Sequence, residues 1–187
     1  ESDLSNFKNG EEKVVVRMIH ASGMINITSQ IYFSKNMVNI ARNALQNGAN
    51  ILCDTNMVKY GITNSRLPAN NKIICMLGNE EIINTAEKIK NTRTAAGVEL
   101  WKPYLSGAIV AIGNAPTALF YLLDMLRDDN CPKPSAIIGF PVGFVGAQES
   151  KEALYKFSSI PFCLIKGRLG GSAMTVAAIN AIAKEKE

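Results

Sequence analysis

The chain holds one histidine, His20, and an arginine stands three positions before it at Arg17. Glu11 to His20 reads as a short helix ended by Gly23. At about 100° per residue, Val14, Val15, Met18 and Ile19 share one arc of about 140°, while Lys13, Val16, Arg17 and His20 share the opposing one. Residues three apart project side by side, so the guanidinium and the imidazole are neighbours. The last turn of a helix favours the cationic form of a histidine through the dipole. Such a pair suits an acidic ligand and a proton transfer to it. The same spacing also describes a solvated basic face with no further role.

The elements that must position this pair alternate along the chain. Apolar runs at 49–53, 72–77, 108–112, 135–140 and 161–165 are apolar at both parities, which suits strands buried on both faces. Amphipathic segments lie between them near 36–47, 79–90, 115–127, 147–156 and 172–185. Gly48 is placed as a helix-ending glycine and Pro116 as a helix-opening proline. This order predicts an α/β fold, a three-layer α/β/α sandwich on a mostly parallel sheet of about five strands. We read one domain over residues 1–187, with no repeat or linker.

In such sheets ligands sit beyond the carboxyl ends of the strands. The loops there are Asp54-Thr55-Asn56-Met57, Gly113-Asn114-Ala115-Pro116-Thr117, Pro141 to Gly146, and Lys166-Gly167-Arg168-Leu169-Gly170-Gly171-Ser172. Three are glycine-rich and lead into helices, so they offer bare amides to carboxylate or phosphate, Asn114 and Gly170 among them. Tight turns alone would use the same glycines. The phosphate-loop and dinucleotide glycine signatures are both absent, while an FMN-type site stays open.

Composition narrows the classes. Apolar residues make up 47%, charged residues 19% and aromatics 7%, a globular balance. A net charge of +4 is weak for a nucleic-acid binder and fits a small acidic ligand. The most apolar stretch, 108–126, is broken by Asn114, Pro116 and Asp124, short of the roughly 20 apolar residues of a membrane span. Glu1 to Lys13 is too polar for a signal peptide, and the missing initiator Met predicts a longer native N-terminus. Cys53, Cys75, Cys131 and Cys163 form no C-x-x-C pair, and three lie in apolar runs, which predicts buried reduced thiols in the cytoplasm. With a single histidine, a dedicated metal site is not expected.

Six words of the sequence resemble the precorrin-8X methylmutase family of cobalamin biosynthesis. They are Arg17-Met18-Ile19-His20-Ala21-Ser22-Gly23, Cys53 to Val58, Thr92-Arg93-Thr94-Ala95-Ala96, Gly113 to Leu119, Gly139 to Ala147 and Gly167 to Ser172, in the family's order. The resemblance implies a flavodoxin-like fold and a homodimer with active sites shared between subunits. It implies an isomerase that shifts a methyl group from C11 to C12 of a tetrapyrrole polycarboxylate, giving hydrogenobyrinate, or cobyrinate where cobalt is already inside the substrate. No cofactor takes part. His20 matches the family's proton donor or acceptor, Arg17 a substrate contact, and Arg93 a residue facing the acidic periphery of the substrate. Arg168 we add from chemistry, since a guanidinium on a glycine loop can hold a carboxylate by two parallel hydrogen bonds. The family's N-terminal serine has no counterpart here; Ser2 and Ser5 do not match it. Two alternatives remain, a non-catalytic corrinoid carrier of the same fold, against which the intact His20 speaks, and an FMN or phosphate binder.

Overall fold

The computed structural model describes residues 2–157 and 159–184. Six strands form one sheet: β1 (Ile31–Phe33), β2 (Ile51–Cys53), β3 (Ile73–Ile74), β4 (Ile109–Ile112), β5 (Ala136–Gly139) and β6 (Phe162–Ile165), in the order β1-β6-β5-β4-β2-β3. Strands β2 to β6 are parallel, and counted alone they run in the 2-1-3-4-5 order of flavodoxin-like sheets. β1 joins the edge antiparallel to β6, with Ile31 opposite Ile165. The sequence reading of five strands is thus corrected to six. An Ile-Tyr-Phe segment is too short to show a period, and an edge position demands little of it. β3 is also shorter than its apolar run, which continues past the sheet as extended chain.

Eight helices among the described residues flank this sheet: α1 (Glu11–Ser22), α2 (Met37–Gln46), α3 (Asn56–Gly61), α4 (Ile82–Ile89), α5 (Arg93–Glu99), α6 (Pro116–Met125), α7 (Ala147–Lys156) and α8 (Ser172–Ala183). Alternate strand residues point to opposite layers. Ile51, Ala111 and Ile138 pack with α1, α2, α3 and α8, while Leu52, Val110 and Ile137 pack with α5, α6 and α7. Helix α3 begins within the 54–57 loop word, and α5 covers a stretch to which the sequence assigns no element. Each begins at a threonine cap: Thr55 Oγ1 accepts from Val58 N–H at 3.3 Å, and Thr92 Oγ1 from Ala95 N–H at 3.2 Å. α4 starts at Ile82 rather than 79. α8 ends at Ala183, and residue 185 of the segment read as 172–185 lies outside the described residues. Among the described residues no helix is long and apolar enough to cross a membrane.

The histidine helix forms as its sequence dictates. Glu11 and Glu12 complement the dipole in its first turn, and Gly23 ends it at φ 68°, its N–H donating to the Ile19 carbonyl at 2.8 Å. Val14, Val15 and Met18 are buried, and His20 is exposed on the other face. Glu12, Lys13, Val16 and Arg17 share a groove with Ala181 and Lys184 at the end of α8. The two helices therefore run antiparallel, and the last turn of α1 lies toward the carboxyl edge of the sheet. The chain reaches β1 there, where Lys166 N–H donates to the Gln30 carbonyl.

Candidate active site

The sheet reverses its strand order between β2 and β4, where doubly wound folds hold their ligands. Here a side chain bridges the gap. Asp54, directly after β2 and only 3% exposed, accepts three main-chain hydrogen bonds from the loop after β4. Oδ1 takes Gly113 N–H at 3.0 Å, and Oδ2 takes Asn114 N–H at 2.9 Å and Ala115 N–H at 2.8 Å. Those amides sit at the N-terminus of α6, the usual place for a phosphate. Burial raises the Asp54 carboxyl above its ordinary value, and the three N–H donors pull it back. A fixed carboxylate on these amides leaves no room for an FMN phosphate. The sequence marks Asp54 only as part of a loop word, because its partners are main-chain atoms about 60 residues away.

A line of main-chain contacts continues from this clamp. The Asn114 carbonyl accepts from Val142 N–H at 3.4 Å, and Gly143 N–H donates to the Arg168 carbonyl at 3.2 Å. The next carbonyl, Leu169, accepts from Lys151 Nζ at 2.6 Å. Lys151 is 1% exposed, and burial lowers its ammonium from 10.5 to about 8. Asp54 and Lys151 are the fully buried charged side chains among the described residues, and each is bonded to the backbone of a carboxyl-edge loop.

Of the expected site residues, His20, Arg93, Asn114, Arg168 and Gly170 fall along this edge in two layers, while Arg17 lies beside the end of α8. His20 comes from α1, on the α8 side. Arg17, half-buried one turn earlier, lines a groove of about 330 Å³ that also contains Lys13, Arg66 and Lys184. Arg93, exposed, opens α5 beside a triangle of hydroxyls, Thr92, Thr94 and Thr117, each 3.0 Å from the others. Thr117 belongs to the first turn of α6, so Arg93 stands near Asn114. Arg168 is exposed and lies 5.3 Å above the Phe144 ring. Among the described residues, the side chains of His20, Arg93 and Asn114 make no hydrogen bond or ion pair, so these polar groups face outward unengaged. Among the described residues no hydrogen bond, ion pair or ring contact joins His20 to Arg93 or Arg168.

Gly170 has a role the sequence did not disclose. A Cβ there would collide with the Phe140 carbonyl and lie 2.7 Å from that of Pro141, so the close approach of two loops requires glycine. Gly113 is similarly pressed, since a Cβ there would lie 2.9 Å from the Cα of Ser172 at the start of α8. Phe144 and Val145, 83% and 89% exposed, set a bare apolar surface beside the arginine. The four cysteines are free thiols, and burial raises the pKa of Cys53 and Cys163 well above 9.0, so neither is an activated nucleophile. Among the described residues no three His, Cys, Asp or Glu side chains stand together as a metal site.

A family model described as precorrin-8X methylmutase matches residues 1–185. A precorrin-8X methylmutase of Sinorhizobium sp is 55% identical over 185 residues, covering 98% of this chain and 88% of that protein. A cobalt-precorrin-8 methylmutase of Leptospira interrogans is 34% identical, covering 97% and 86%. A solved structure titled "precorrin-8X methylmutase related protein" superposes with a TM-score of 0.89 at 30% identity, over 97% of this chain and 94% of that one.

The Asp54 clamp yields a direct test. In Asp54→Asn the amide keeps one acceptor oxygen and turns an NH2 group toward backbone N–H donors. The substitution is expected to lower the unfolding free energy by about 3 kcal/mol. Urea denaturation measures it, and a loss below about 1 kcal/mol, the worth of one ordinary hydrogen bond, would contradict the clamp.

Proposed function

The chain belongs to the precorrin-8X methylmutase family, and from that premise we propose that His20 is its proton donor and acceptor. It is an isomerase of cobalamin biosynthesis that moves a methyl group on the precorrin-8X macrocycle. Product and substrate hold the same atoms, so the protein needs to supply neither a nucleophile nor a redox partner. We infer that His20 lends a proton to the conjugated ring, which draws electron density away from the migration terminus so that it can accept the methyl group with its bonding pair. The methyl group passes from C11 to C12, and the imidazole recovers the proton as conjugation is restored. One observation carries this reading. His20 is held on a rigid helix, exposed at the ligand edge and unengaged within the described chain.

Arg93 and Arg168 are assigned to the peripheral carboxylates, Arg17 to a further one, and the Asn114 side chain to the ring edge. A wide, flat polyacid suits groups spread over several loops better than one deep pocket. Orientation and fixed charges then supply most of the rate. Metal-free precorrin-8X is the preferred substrate in this proposal, since the 55% identical relative carries that name and the 34% identical one is named for the cobalt form. Cobalt, where present, enters inside the substrate, and no cofactor is called on. Four free thiols fit a cytoplasmic setting.

We further propose that the enzyme works as a homodimer of one-domain subunits. Val16 on α1 and Met57 and Tyr60 on α3 leave 47%, 74% and 78% of their surface exposed on helices that both pack against α8. A second copy on that face would cover them and bring its own chain near Arg17.

Mixing the protein with precorrin-8X and following the visible spectrum is expected to give the hydrogenobyrinate chromophore. Binding without turnover would favour the carrier alternative. His20→Ala is expected to abolish turnover with an unchanged circular dichroism spectrum, because the imidazole lies off the apolar stripe; an unfolded variant would make His20 structural. Arg93→Ala is expected to weaken binding about tenfold at low salt, with the difference shrinking as salt rises. Equal affinities would remove Arg93 from the site. Sedimentation should return twice the 20.3 kDa chain mass, and a monomer at working concentration would overturn the dimer.

A further inference from the structure

We propose that Lys151 is a positioning residue of the substrate site, holding the 167–171 loop so that Arg168 meets a substrate carboxylate. The proposal rests on the methylmutase reading and adds a residue to its site. Lys151 lies on the inward face of α7 with Ala147 and Leu154, a row in which an aliphatic side chain would pack without desolvating a charge. A cavity of about 380 Å³ opens beside it, lined also by Gln148, Glu152, Lys156, Lys166 and Gly167. A lysine stem there could carry its ammonium out to water. It turns instead to the Leu169 carbonyl at 2.6 Å and forms no ion pair with Glu152 among the described residues.

The receiving loop explains why such an anchor is useful. Gly167 and Gly171 sit at φ 73° and 122°, and Gly170 has no side chain, so three of five residues lack the restraint that a Cβ gives. Its main chain is fixed on either side of Leu169, by Gly143 N–H to the Arg168 carbonyl and by Gly171 N–H to the Phe140 carbonyl at 2.9 Å. The Gly171 carbonyl also accepts from the Thr175 N–H and hydroxyl at 3.1 and 3.0 Å, and Lys151 supplies the bond at the carbonyl adjacent to the arginine. A charge-assisted bond is among the stronger ones available for the purpose. Arg168 then reaches its partner with less ordering left to do on binding.

Lys151→Met keeps stem length and removes the donor. In this variant the amides of residues 168–171 are expected to exchange with deuterium at least about tenfold faster, while those of β4 and β5 keep their protection. KM for precorrin-8X is expected to rise about tenfold with kcat nearly unchanged. Lys151→Arg, which retains a cationic donor, is expected to recover part of that loss. In an Arg168→Ala background, Lys151→Met should change KM little, because the two substitutions break one device. Unchanged loop exchange, or a general loss of protection across the sheet, would overturn the proposal. So would a fall in kcat without a rise in KM. If the unaltered protein fails to turn over precorrin-8X, the methylmutase reading fails instead, and the exchange measurement still decides whether Lys151 holds the loop.

Discussion

The carboxyl edge of this protein depends on a buried carboxylate that joins two strands the topology drives apart. At the reversal between β2 and β4 the following segments leave toward opposite faces of the sheet, and a crevice results. Nucleotide-binding relatives of the architecture fill that crevice with a phosphate on helix amides. In this chain Asp54 already occupies the amides of Gly113, Asn114 and Ala115. The anion is covalent, so the amides cannot exchange it for a ligand. In the proposed function anion recognition moves outward to side chains, to Arg93, Arg168 and the exposed Asn114. In that reading the same fold serves as a platform for a larger acid rather than as a phosphate cradle.

Fixing one loop fixes the next. The Asn114 carbonyl holds Val142, Gly143 holds Arg168, and Lys151 ends the series on the Leu169 carbonyl. A charge buried in water-poor surroundings is destabilising unless its bonds are satisfied. Asp54 and Lys151 therefore commit their partners strongly to one geometry. Gly113 and Gly170 let the loops approach closely enough for the series to close. The result is a broad edge whose main chain is rigid and whose outward side chains are free to meet a flat ligand.

Much of this was legible in the residues and part of it was not. The helix of His20, its buried stripe and its terminating glycine follow from spacing alone, and so do the five parallel strands with their loops. β1 escaped notice because three residues at an edge carry no period. The clamp escaped because Asp54 looks like any polar residue after a strand, while its partners are backbone atoms with no sequence signature. Lys151 left a fainter trace. It stands four residues after Ala147 and three before Leu154, on the inward stripe of its helix, where a lysine is out of place. The sequence paired Arg17 with His20 as neighbours, yet Arg17 leans into a groove with Arg66 and Lys184, so adjacency on a helix did not fix a shared target.

The division of labour between helix and loops follows from the reaction. A methyl shift within one molecule asks for no nucleophile, and the buried thiols, their pKa values raised by burial, could not serve as one. It asks for a proton source held against a large ring while that ring is held by its rim. The proposed proton source, His20, sits on α1, whose first turn carries Glu11 and Glu12 and whose last closes on Gly23. Of the proposed rim contacts, Arg168 sits on a loop and Arg93 opens α5, and the long stem of each can follow small differences in the position of a carboxylate. Were the histidine on a glycine loop instead, its proton would be mobile. Transfer to one ring atom requires the opposite, because a displacement of about 1 Å at the reacting centre can cost about 100-fold in rate, whereas a salt bridge at the periphery tolerates it.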